Sequence, residues 1–600
     1  MKIEKPTNPI SLQKEVERFG SVVLKTTGKK SGMNQLPLLA RQMMRVAMGD
    51  PLFRSQLFRL VDVFPTLGSD HEIVSHLKEY LEIAKVGSGA SKFASLGTKY
   101  ATQWTIPRAA TVGLTKRNLE AVARHFIAGT DAKEVGVVID GYRSDGLLGT
   151  VDVLGEKTLT EAEAATYGSR VEELAQELAT VGSRWSSNAI LDRDSLGEFP
   201  KSSISIKSSA LSPHYHPLSS TLGVGEAKGR IESILGSFPG DSLVVFLDME
   251  DYETKPLTWE VFKTLVENPK FYDYHLGIVV QVYLRDALED LERLTLLSDA
   301  RVGSGGTPLW VRVVKGAYFD SELVKAEADG YETPTFKEKM DSDYNFERAV
   351  DYLLGHIGRL RLAFGTHNVR SISYLHAKAA ELQIPDTDYE IQMLYGMADE
   401  LARTVAGLGK RVRMYVPMGE LIPGMSYLVR RLLENTANEG FLRQGFASKS
   451  SFGTLLSAPK PSTDYSRSTN ESDDAFSLDH PYKHLGVLEF HLPKVRAVFD
   501  KELQIVASRA KPKLGRTLPF IGGRYLEKGI PSISVNPTNP EEIVSEVLNA
   551  NSELVDEAVS AAKTALSDWS RTPVRHGPTT FWERLGGCVT TDTRSLPSRS

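Results

Sequence analysis

Eight short β-branched runs alternate with long amphipathic stretches between residues 149 and 450, and this alternation limits the fold more than any other feature. The runs are Gly149–Leu154, Ser203–Lys207, Leu243–Asp248, Leu276–Tyr283, Leu309–Val314, Leu362–Thr366, Tyr389–Leu394 and Arg411–Val416. Near-continuous apolar strands are buried on both faces, as in a parallel sheet. The stretches between them, such as EAEAATYGSRVEELAQELATV and SISYLHAKAAEL, carry apolar residues at helical spacing. Eight βα units in succession predict an α/β fold, a (β/α)8 (TIM-like) barrel, and the roughly 300 residues available are enough to close one. A doubly wound open sheet would want a Gly-rich dinucleotide turn after its first strand, and GTVDVLGEKTLT supplies none.

Around the barrel, the sequence divides into five parts. Residues 1–140 read as a helical N-terminal arm and α-domain, and 141–455 as the barrel. A polar, Ser-rich stretch, Ser457–Pro481, opens residues 456–518, which read as a linker region. Strand-like and helical pieces return over 519–573, too few for a large domain, and 574–600 lose apolar periodicity and read as a non-domain tail.

Composition narrows the function. Lys+Arg number 71 and Asp+Glu 76, so the net charge is -5 over 600 residues and a dedicated nucleic-acid binder is disfavoured. A single cysteine, Cys588, excludes an intrachain disulfide and a cysteine-cluster metal site, which suits a reducing cytoplasm. No apolar run approaches the ~18–20 residues of a membrane helix, and MKIEKPTNPI is no secretory signal.

In such a barrel, chemistry sits at the C-terminal ends of the strands. The polar groups in or just beyond those runs are Asp152, Lys207, Asp248, Gln281, Arg312, Lys315, Thr366, His367, Asn368, Gln392 and Tyr415. Any one of them reads equally well as a strand-end cap, but the set is hard to explain by packing, because buried unpaired charge is costly. Lys207, Arg312, Lys315 and the pair Arg430–Arg431 favour an anionic ligand or an electron-rich cofactor. Two facing free acids for glycoside hydrolysis, a spaced metal-ligand cluster and a serine nucleophile elbow are not seen, so no metal is expected. Arg430 and Arg431 lie in YLVRRLLEN, about 100° apart on a helix, and arginine suits bidentate carboxylate recognition.

VRVVKGAYFDSE, FGTHN, YEIQMLYGM and RMYVPMGE…YLVRRLLEN together resemble proline dehydrogenase, as found in the bifunctional flavoenzyme proline utilization A. DVLGE, SISIKSSAL and LDMED fit the same family in the same order. The resemblance covers roughly residues 140–450. It implies an FAD-containing barrel that oxidises L-proline to Δ1-pyrroline-5-carboxylate by hydride transfer to flavin N5 and passes electrons to a quinone. Carried over by position, Arg430 and Arg431 would bind the proline carboxylate with Lys207 assisting. Tyr415 and Leu394 would line the pyrrolidine ring. Asp248, Arg312 and Tyr415 would be the catalytic set, with Arg312 beside N5. Met249, Gln281, Lys315, Gly316, Ala317, Tyr318, Thr366, His367 and Asn368 would hold the cofactor, and Glu156 would be a gate paired with Arg430. A cytoplasmic location follows, with peripheral contact at the inner membrane and an oligomer both open.

FIGGRYLE, SVNPTNPEEIVSEV and SELVDEAVSAAKTAL resemble the opening of an aldehyde dehydrogenase domain, and the likeness stops near Trp569–Pro573. Aldehyde dehydrogenase activity is therefore not expected of these 600 residues. Two other readings remain. One is another flavin barrel, of the methylenetetrahydrofolate reductase kind, against which the YLVRR pair argues. The other is a non-catalytic remnant that binds a partner, against which retention of the whole set argues.

Overall fold

The computed structural model describes residues 11–27, 55–56, 59–60, 63–84, 124–155, 157–420, 452–462, 465, 487–510 and 515–571. They fall into two compact units. The first holds the described residues through Tyr465 together with Val487; the second holds those from Leu488.

The first unit is the closed parallel barrel that the alternation predicts. Its strands are β1 (Leu148–Val153), β2 (Ser202–Ile206), β3 (Leu243–Leu247), β4 (His275–Gln281), β5 (Trp310–Val314), β6 (Arg361–Gly365), β7 (Tyr389–Leu394) and β8 (Val412–Met418). Each pairs with its sequence neighbours, and β1 closes the barrel on β8 with Thr150 opposite Tyr415. Helices α1 (Leu12–Thr27), α2 (Asp70–Ala84) and α3 (Ala132–Ser144) precede β1. They are followed by α4 (Glu161–Ser183), α5 (Ser220–Gly236), α6 (Lys255–Val266) and α7 (Ala287–Gly303), which connect β1 through β5. Helices α8 (Phe319–Asp329) and α9 (Lys339–Gly355) both lie between β5 and β6; α10 (Val369–Glu381) and α11 (Asp399–Gly407) complete the connections to β8.

Local chemistry sets the helix starts. Thr160 and Glu163 form a reciprocal capping box on α4, and Asp131 and Asn368 cap α3 and α10 through their side chains. Outward strand residues such as Val151, Ile204, Val245, Ile278, Val311 and Phe364 are buried against the helices in one continuous core. Inward residues differ by height. Phe199, Val244, Phe246, Trp310 and Ala363 form a separate apolar cluster. In the interior, a fully buried bidentate pair joins Arg413 to Glu390 at 2.8 and 2.9 Å, and Thr150 bonds Ser203 at 2.9 Å.

Three features add to the sequence reading. A short hairpin, Arg193–Asp194 with Gly197–Glu198, was not foreseen and sits at the N-terminal ends of the strands, where Asp194 meets Arg361 and the Arg193 carbonyl meets Arg411. The N-terminal arm packs on the barrel: Val16, Phe19, Val23 and Leu24 of α1 belong to the barrel core. Its Gly20 lets α1 approach Leu456, because a Cβ there would meet the leucine at 2.5 Å. The region read as a linker begins as anchored chain. Leu456 is fully buried, Ser462 bonds Asp341 through both its amide and hydroxyl, and Tyr465 stacks on Phe336. The same region also contains α12 (Pro493–Ala510), in the second unit. Single buried side chains leave no periodic trace, whereas α12 carries Val495, Val498, Phe499 and Val506 at helical spacing and was legible.

The second unit also holds a three-stranded sheet, β9 (Gly515–Thr517), β10 (Ile530–Asn536) and β11 (Asn539–Asn549), in the order β9–β11–β10, followed by α13 (Ser552–Trp569). Cys588 lies outside the described residues. Among the described residues, no helix is long and apolar enough to cross a membrane.

Candidate active site

At the C-terminal ends of the strands, β2, β3, β5 and β8 bring Lys207, Asp248, Arg312 and Tyr415 together, with Asp152 from β1. Asp248 is held at both oxygens. Arg312 Nη1 donates to Oδ1 at 2.8 Å and Tyr415 OH donates to Oδ2 at 2.6 Å. Lys207 forms an ion pair with Asp152 and stands 3.9 Å from Asp248 Oδ2. Arg312 also donates to Ser205 Oγ at 2.9 Å and lies over the rings of Phe246 and Tyr415, at 4.1 and 5.2 Å.

Burial and charge set the protonation states. Burial pushes the Asp152 carboxyl up against the pull of Lys207. Burial would push the Lys207 ammonium down, but Asp152, with Tyr167 and Asp248 behind it, holds it above its usual value, so Lys207 stays charged. Burial, with Asp152 and Asp248 alongside, raises the Tyr415 phenol well above its ordinary range, so it remains a hydrogen-bond donor. The cluster thus sets two cations among two carboxyl groups.

Several buried polar atoms here lack a hydrogen-bond partner among the described residues: Nε and Nη2 of Arg312, Oε1 of Gln281 and Oε1 of Gln392. Gln281 Nε2 donates to the carbonyls of Met249 and Glu250 at 3.2 and 3.0 Å, which fixes the amide while leaving its oxygen open. Gln392 Nε2 donates to Glu390 at 2.6 Å, with the same result. Orphaned buried donors and acceptors of both kinds around one mouth suit a flat heteroaromatic group with mixed hydrogen-bonding edges.

The remaining cofactor candidates line the same end of the barrel. Gly316 has φ +126, and a Cβ would stand 2.2 Å from the Tyr283 ring, so only glycine fits the loop after β5. Lys315 reaches Asp343 of α9, and burial pushes its ammonium down. Ala317 is exposed and Tyr318 half-buried. The Asn368 amide donates to Thr366 Oγ1 at 3.1 Å, while its side chain caps α10. His367 Nε2 accepts the Leu394 amide at 2.8 Å and joins the ends of β6 and β7. Arg430, Arg431 and Glu156 lie outside the described residues.

Sequence reasoning passed over Ser205, Asp343 and the Glu390–Arg413 pair. Ser205 was legible, because Ser203 and Ser205 of β2 share the face that Lys207, just past the strand, had already marked as inward. Asp343 comes from a helix far along the chain and left no local signal.

The family model described as proline dehydrogenase matches residues 137–444, just over half the chain and the whole described barrel. The chain belongs to the proline dehydrogenase family. A second model, the proline utilization A N-terminal domain, matches residues 13–126. The bifunctional protein PutA of Escherichia coli K12 is 25% identical over 474 residues, covering 76% of this chain and 34% of that one. Proline dehydrogenase 1 of Bacillus subtilis is 28% identical over 327 residues, covering 54% of this chain and 91% of that one. Among solved structures, proline utilization A of Bdellovibrio bacteriovorus inactivated by N-propargylglycine superposes with a TM-score of 0.78 at 34% identity, covering 94% of this chain and 55% of that one. The chain therefore spans about a third of the length of the Escherichia coli relative and about half that of the solved one.

Proposed function

We propose that the barrel oxidises L-proline to Δ1-pyrroline-5-carboxylate with FAD as cofactor and a quinone as final acceptor. The observation that carries this reading is the half-satisfied Arg312. It is clamped by Asp248 and Ser205 on one nitrogen and leaves two buried nitrogens without a partner among the described residues, at the mouth of a proline dehydrogenase barrel.

Arg312, Gln281 and Gln392 would hold the flavin ring, and Met249, Lys315, Gly316, Ala317, Tyr318, Thr366, His367 and Asn368 the remainder of the cofactor. When bound, the flavin supplies the hydride acceptor. The chain's own residues do the rest. Arg430 and Arg431, with Lys207, fix the substrate carboxylate, which orients a small molecule with few other handles. Asp248, held at both oxygens, faces the substrate amine, and Tyr415 and Leu394 restrict the ring. Arg312, a permanent cation in a low-dielectric site, favours negative charge developing beside it. Glu156 acts as the gate by pairing with Arg430 until substrate arrives.

The solved relative inactivated by N-propargylglycine suggests a probe. The chain supplied with FAD should turn over L-proline with a quinone analogue, and preincubation with N-propargylglycine should abolish that turnover. Bound FAD without L-proline turnover would reject the substrate assignment. Peripheral contact with the inner membrane follows from the quinone. The segment over residues 519–573 is the opening of an aldehyde dehydrogenase fold in this reading, supported by the extent of the match to solved proline utilization A.

A further inference from the structure

Two loops on which the proposed site depends meet at a buried carboxyl group. The loop after β3 carries Asp248 and Met249 and continues through Tyr252 into α6. The loop after β5 carries Lys315 and Gly316 and runs into α8, whose first turn holds Glu322. Glu322 is 3% exposed, and its Oε1 accepts a hydrogen bond from the Tyr252 amide at 2.6 Å. We propose that Glu322 is a positioning residue that staples the substrate-side loop to the cofactor-side loop and so fixes Asp248 relative to the Lys315–Gly316 backbone. The inference rests on the proposed flavin site for its functional consequence, but the staple itself does not.

The surroundings set Glu322 apart from an ordinary acid at a helix start. Its neighbour Asp320 is exposed, as an acid that merely favours the helix N-terminus would be. The adjacent ion pair, Lys325 with Glu253, joins the same two loops, but the lysine side chain is 41% exposed and the pair is open to screening. The other edge of the β3 loop is already fixed, because the Met249 and Glu250 carbonyls accept from Gln281. Glu322 supplies the buried contact on the side facing α8.

Burying a carboxyl group is costly unless its ionisation or its partners change. Burial raises Glu322 to about 7; Asp251 and Glu253 of the β3 loop add to this, while the Tyr252 amide and Lys325 oppose it. Tyr283, at the end of β4, completes the facing groups. In an open loop the carboxyl would return to its ordinary range near 4.3. The closed staple then binds a proton more tightly than the open one, so opening becomes easier as pH rises towards 7 and levels off above it.

Amide hydrogen exchange at Tyr252 in the full chain tests this, with exchange rates corrected for their intrinsic base catalysis. Glu322→Gln keeps an acceptor oxygen but cannot ionise, whereas Glu322→Ala removes the acceptor. At about pH 4, where the carboxyl is protonated whether the staple is closed or open, the parent and Glu322→Gln should be protected alike, and Glu322→Ala should exchange about tenfold faster. Between pH 5.5 and 8 the parent should lose about tenfold or more in protection, and Glu322→Gln should stay flat. FAD should also leave Glu322→Ala several-fold faster than Glu322→Gln. Equal Tyr252 protection in all three proteins, or a flat pH profile in the parent, would overturn the staple. If the alanine variant does not fold, the pH comparison between parent and glutamine variant decides. Failure of the parent to bind FAD would instead reject the flavin site, and the Tyr252 exchange would still settle the contact.

Discussion

At the closed end of the barrel, Arg361 engages every side-chain nitrogen: Nε with Asp194 at 3.0 Å, Nη1 with His275 at 3.0 Å and Nη2 with the Glu198 carbonyl at 3.3 Å. At the open end, Arg312 engages Nη1 and leaves Nε and Nη2 without partners among the described residues. Both residues are 3% exposed, and both lie against aromatic rings. The closed end is completed by Arg411, whose Nε donates to the Ile190 carbonyl at 2.7 Å. Hairpin, arginines and the aromatic cluster of Phe199 and Trp310 form a stopper. Equal burial therefore carries different meanings. A satisfied buried arginine belongs to the fold, and a half-satisfied one marks a place where the fold is completed by something else.

Substituting each arginine should separate the two roles. Arg312→Met should lower kcat/KM for L-proline by about 10²–10³-fold or more. Its thermal midpoint should fall less than that of Arg361→Met, since Asp248 keeps Tyr415 and Lys207 as partners. Steady-state turnover with parallel thermal denaturation reads both. Arg361→Met should do the reverse. Leaving Asp194 and His275 facing an apolar side chain should cost about 3–5 kcal/mol in a denaturant titration, with turnover per folded molecule unchanged. Equal losses of stability in the two variants would erase the distinction between the ends.

Smaller effects sharpen it. Gly316→Ala forces a side chain onto a backbone with φ +126 and against Tyr283. It should weaken flavin binding about tenfold by equilibrium titration and leave the closed end intact. His275 offers a pH test of the stopper. Burial, then Arg361 and Arg301, lower it to about 3, so it is neutral in the fold. Its ordinary value is near 6.5, so between 6.5 and 3 the unfolded chain holds the proton that the fold excludes. The stability it confers is full above about pH 6.5 and is lost as pH falls, by up to about 1.4 kcal/mol per pH unit. His275→Asn should flatten that part of the melting profile, and an unchanged slope would remove His275 from the stopper.

The barrel was legible because its outward strand residues are almost uniformly apolar and the alternation with helices repeats eight times. The open end was legible because Lys207, Asp248 and Arg312 interrupt apolar runs at the strand ends where chemistry sits. The stopper was not. Arg361 and Arg411 stand at strand starts, where polar residues excite no suspicion, and the hairpin that satisfies them is two pairs of residues with no periodicity. Glu390 was hidden within YEIQML, because the partner that neutralises it, Arg413, lies on another strand. Pairing across strands is a property of register, and sequence spacing along one strand does not reveal it.

The most direct test of the flavin-dependent reading is an anaerobic absorbance spectrum of the FAD-loaded protein before and after L-proline. The account predicts an oxidised flavin spectrum that bleaches on addition of L-proline, and does so in Arg361→Met but far more slowly in Arg312→Met. A protein that takes up no flavin, or a bound flavin that stays oxidised with L-proline, would contradict it.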